Sequence, residues 1–121
     1  MQVAIIPADI SQPIRFEDLA AGLGPMQDAV GGDIEMVGLR AASMNMYINE
    51  NGKVESLPAN RRATILSHWA EAIRHDDVIA GDAVLVGPTD DEEGVDTSIT
   101  AEHVAFLERF DQTIALADGR G

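Results

Sequence analysis

Apolar and polar residues alternate between two periods along this chain, and the switches mark its elements. Residues 3–8, VAIIPA, form an unbroken apolar run closed by Pro7, the mark of a buried or edge strand. Residues 16–23, FEDLAAGL, place Phe16, Leu19, Ala20 and Leu23 at helical spacing until Gly22 and Gly24 interrupt. Pro25 suits a first helical position, so PMQDAV is expected to form a second short helix ending at Gly31-Gly32. Residues 34–39 read as a strand. Residues 44–49 read as another, with Met44, Met46 and Ile48 on one face and Asn45, Tyr47 and Asn49 on the other.

Asn51-Gly52 supplies the residues that tolerate positive φ, which predicts a tight turn and a return strand over 53–57. Asn60 then suits an N-cap. A helix is expected from there to about Arg74, with Ala63, Leu66, Trp69, Ala70 and Ile73 facing the core. Residues 79–86, IAGDAVLV, read as a largely buried strand with Gly81 at a bulge or close approach. Thr100 caps a last helix, Ile99 can staple onto Val104, and Val104, Leu107, Phe110 and Ile114 form its apolar stripe. Residues 117–121 are expected to fray.

Strands and helices are mixed, and the hairpin makes part of the sheet antiparallel. The economical fold is α+β: a single mixed or antiparallel sheet of about five strands with a central β-hairpin and helices packed on it. No repeat or linker divides the 121 residues, so one domain over residues 1–121 is expected.

Three segments in combination carry a family resemblance: VGGDIEMVGL at 30–39, INENGKVESLPANRRAT at 48–64, and IAGDAVLVG at 79–87. The chain resembles the DUF3846 family over most of residues 3–110. The resemblance implies an origin in a bacteriophage or mobile element, and it brings no catalytic residues with it. The fuller helix around 66–74 and the tail after Phe110 depart from the family pattern.

Composition then narrows the chemistry. Cysteine is absent, which removes disulfides, thiol nucleophiles and cysteine metal cages. The first residues carry no basic stretch or long apolar run, and no span-length segment follows, so a cytoplasmic protein away from membranes is expected. The net charge of −13 disfavours direct contact with nucleic acid or anionic lipid. It fits simple solubility, a high-salt origin, or mimicry of the DNA backbone.

Against that acidic background, Lys53, Arg61 and Arg62 gather in one hairpin–helix unit. Both arginines fall in the first turn of a helix, where the dipole disfavours cations by about 0.3–1 kcal/mol each. With Asn60 they make a candidate site for a phosphate or carboxylate, or alternatively an internal ion-pair network. Asn45, Tyr47 and Asn49 are a candidate interaction face, or the solvated side of the sheet. Asp90, Asp91, Glu92 and Glu93 form an acidic loop without the spacing of a calcium site. His68, His75 and His103 show no metal-ligand spacing, and no phosphate loop or nucleophile elbow is present. No metal, cofactor or catalytic group is therefore expected. The leading expectation is a non-enzymatic protein that binds an unidentified host protein, in counter-defence or host takeover. A domain sequestering an anionic nucleotide, an acidic DNA mimic and an enzyme of unrecognised chemistry are the alternatives.

Overall fold

The computed structural model describes residues 1–120. One sheet of five strands organises the chain, in spatial order β2-β1-β5-β4-β3. The strands are β1 (Gln2–Ile6), β2 (Arg15–Asp18), β3 (Ile34–Leu39), β4 (Met44–Asn49) and β5 (Ala83–Val86). Every neighbouring pair is antiparallel. The helices are α1 (Leu23–Val30), α2 (Arg61–Trp69) and α3 (Ala101–Ala117). The fold is α+β, with β3 and β4 forming its hairpin.

The unbroken apolar runs of β1 and β5 follow from their place in the middle of the sheet, which is covered on both sides. Ala4, Ile6 and Leu85 turn to one face and pack with Leu66 of α2 and Leu107 of α3. Val3, Ile5, Val84 and Val86 turn to the other and pack with Met26 and Val30 of α1.

Several expectations need correction. The β-hairpin lies one element earlier than Asn51-Gly52. Strands β3 and β4 are joined by a 3₁₀ turn at Arg40–Ala42, with Ser43 left-handed at φ 53°. β4 is already flanked by β3 and β5, so no edge remains for a strand over 53–57. That segment instead closes on itself: Glu55 N–H donates to the Asn51 carbonyl at 2.8 Å and Leu57 N–H to the Gly52 carbonyl at 2.8 Å.

Residues 16–18, the start of the expected first helix, belong instead to strand β2, because the outer edge of β1 takes them as a partner. The glycine-rich interruption starts α1 rather than ending a helix, with Gly22 as its N-cap. α2 stops at Trp69 and not at Arg74. Glu71 turns left-handed at φ 53°. Glu71 N–H then donates to the His68 carbonyl, and Ala72 N–H to that of Ser67, the paired bonds of a Schellman stop. Trp69, expected in the core, is 54% exposed. Finally, β5 begins only at Ala83, after Gly81 at φ 87° turns the chain.

Thr100 caps α3 as expected, and His103 completes the box: its Nδ1 accepts the Thr100 N–H at 3.0 Å. Beyond α3, Arg120 donates to the Ile10 carbonyl at 3.1 Å. Gly121, the last position of the expected frayed end, lies outside the described residues.

Candidate functional site

The basic residues that converge in sequence are sent to three separate places. Asn60 is fully buried. Its Oδ1 accepts the Ala63 N–H at 3.0 Å, and its Nδ2 donates to the carbonyls of Ile6 and Gly81 at 2.9 Å each. It ties α2 to β1 and to the turn before β5.

Arg61 forks onto Asp118, just past the end of α3, at 2.7 and 3.0 Å. That guanidinium holds the Asp118 carboxyl below the usual carboxylate range. Arg62 is 1% exposed and points inward. It donates to Asp111 of α3 at 3.0 Å and to the carbonyls of Pro7 and Asp9 at 2.9 and 3.3 Å. Lys53 pairs with Asp77, whose carboxyl it holds low. The helix-dipole cost of two arginines at the start of α2 is thus offset by carboxylates at and beyond the far helix. Lys53, Asn60, Arg61 and Arg62 do not meet in a common cradle.

The polar row of β4 is graded along its length. Asn49 is buried, accepting the Asn51 N–H at 2.8 Å through Oδ1. Asn45, at the other end, donates to the Thr89 hydroxyl at 2.9 Å. Between them the phenol of Tyr47 donates to the Asp96 carboxylate, 2.9 Å from each oxygen. Burial pushes Tyr47 up to about 12, and the Asp96 carboxylate adds to the rise. The phenol therefore stays protonated, and a donor, at physiological pH. Instead of a solvated sheet face, this row lies under α1 and the 88–97 loop.

Tyr47 and Asp96 form one wall of a cleft of about 400 Å³, with Leu23, Met26, Ile34 and Val95 as its apolar sides. The mouth exposes hydrophobic surface: Leu23 is 58% and Val95 49% accessible. Asp96 has no lysine or arginine partner among the described residues.

The acidic loop leads directly into this wall. Asp90 closes it, its Oδ1 accepting the N–H groups of Glu92 and Glu93 at 2.9 and 3.2 Å. Asp91, Glu92 and Glu93 project into solvent. Among the described residues, no group of acids and histidines is arranged to hold a metal ion.

Sequence reasoning could find Tyr47, the single tyrosine on an alternating strand, but not Asp96. That residue lies 49 positions away in a segment without a motif, and only the fold brings it near. A second unforeseen feature lies across the sheet. Trp69 tilts against Phe106 at 5.5 Å between ring centroids, and Phe106 stacks on Phe110 at 6.5 Å.

The family described as Domain of unknown function (DUF3846) matches residues 1–112. No curated protein and no solved structure matches the chain. No helix among the described residues is long and apolar enough to cross a membrane.

Proposed function

The chain belongs to the DUF3846 family, and on that premise we propose that it is a phage-type, non-enzymatic interaction protein that binds a positively charged surface of a host protein. It would act in the host cytoplasm, in counter-defence or host takeover.

The observation that carries this reading is where the charges go. Net charge is −13, and among the described residues six of the eight lysine and arginine side chains are held by carboxylates of the chain. Most of the surplus carboxylates face solvent, with Asp91, Glu92 and Glu93 together on one loop. Such a surface attracts basic partners and speeds their encounter. An anionic nucleotide is served less well, since it would have to displace Asp77, Asp111 and Asp118 from Lys53, Arg62 and Arg61.

Capture from host lysate, read by mass spectrometry, tests the proposal. The native chain is expected to retain one reproducible protein with a basic surface, and the D91N/E92Q/E93Q variant to retain much less of it. An empty native eluate, or equal retention by both chains, would contradict it.

A further inference from the structure

We propose that the cleft beside Tyr47 and Asp96 is a socket for one cationic side chain with an apolar stem, an arginine or lysine of the bound partner. This rests on the reading above of a positively charged partner and names where its central contact falls.

Three observations and two exclusions converge on that chemistry. Among the described residues Asp96 has no basic partner, the ammonium of Met1 at the same cleft being taken by Asp18, and the other members of its wall are mostly apolar. Its one hydrogen-bond donor among side chains is the Tyr47 phenol, whose single proton leaves most of the carboxylate's acceptor positions open. Leu23, Met26, Ile34 and Val95 offer the surface that the methylene stem of a lysine or arginine covers, and the Tyr47 ring offers a face for the charge. An anion would meet Asp96 and the acidic loop and be repelled. A wholly apolar guest would leave the carboxylate desolvated and unpaired, which is costly.

The wall is also fixed in place. Asp90 N–H donates to the Val95 carbonyl at 2.8 Å, and Gly87 N–H to the Thr97 carbonyl at 2.8 Å, so backbone bonds grip both sides of Asp96. A carboxylate held this way loses little freedom on binding. The exposed Leu23 and Val95 side chains at the mouth are then the rim that a guest stem would cover.

The test uses butylguanidinium as the probe, with butanol as its neutral counterpart, followed by amide and methyl NMR shifts of the whole chain. Butylguanidinium is expected to give saturable shifts confined to Leu23, Met26, Ile34, Tyr47 and Val95, and butanol to give none that saturate. Asp96→Asn should weaken the probe about tenfold, the loss of one charge-assisted contact. Tyr47→Phe, which keeps the ring and the carboxylate, should still bind it. Equal binding of butanol, or of butylguanidinium to the Asp96→Asn chain with an unchanged amide spectrum, would overturn the socket.

Lysate capture with the Asp96→Asn chain separates the two proposals. A basic protein held equally by native and Asp96→Asn chains sinks the socket and leaves the interaction reading standing. Butylguanidinium binding without any captured protein sinks the interaction reading and leaves the socket, then serving a free organic cation.

Discussion

Tyr47 reports on its own surroundings, because it is the chain's one tyrosine. Its near-ultraviolet phenolate absorbance should titrate with a midpoint near 12 rather than 10. Asp96→Asn should lower that midpoint by removing the charge that opposes ionisation. The folded-state value lies above the unfolded one, so the associated stability is complete below pH 10 and is lost as pH rises toward 12. A midpoint at the ordinary value would mean that the phenol is neither buried nor bonded as described. The two adjacent arginines should behave oppositely in urea denaturation. Arg62→Ala strands Asp111 and the Pro7 and Asp9 carbonyls and is expected to cost about 3 kcal/mol. Arg61→Ala, at a solvent-exposed ion pair, should leave the midpoint nearly unmoved. Asn60→Ala combines a lost cap with two orphaned carbonyls and is expected to cost about 2–4 kcal/mol.

At the scale of elements, C′ of α2 holds a glutamate where glycine is preferred. Glu71→Gly should therefore raise stability by roughly 0.5–1 kcal/mol, read from the same denaturation curves. A loss instead would show that the Glu71 side chain matters more than its φ. The same position explains why apolar periodicity alone extends α2 to Arg74: no glycine marks the stop. β3 and β4 were legible to the residue, since β4 alternates over most of its length and β3, though it alternates imperfectly, is bounded by turn residues. The Asn51-Gly52 turn was legible as a turn but not by its destination, because strand order decides whether a return strand has an edge to join. β2 was hidden for a related reason: FEDL suits a helix locally, and only the need of β1 for a partner makes it a strand. Of the proposed site, Tyr47 and the acidic loop were visible, while Asp96 and the exposure of Trp69 depend on tertiary placement. The clustering of Lys53, Arg61 and Arg62 in sequence misled in the opposite direction, because successive helical residues point to different sides of the axis.

For the molecule as a whole, the layout of charge is the central claim: most cations paired within the chain, most carboxylates turned outward, and a basic partner drawn to them. Surface attraction of this kind is screened within about 8 Å at physiological salt, so it must fade as salt is added. The affinity of the captured host protein, measured against rising salt for the native chain, tests the claim most directly. A steady fall in affinity over that series, steeper than for the D91N/E92Q/E93Q chain, is the predicted result. An affinity that holds constant as salt rises would contradict it.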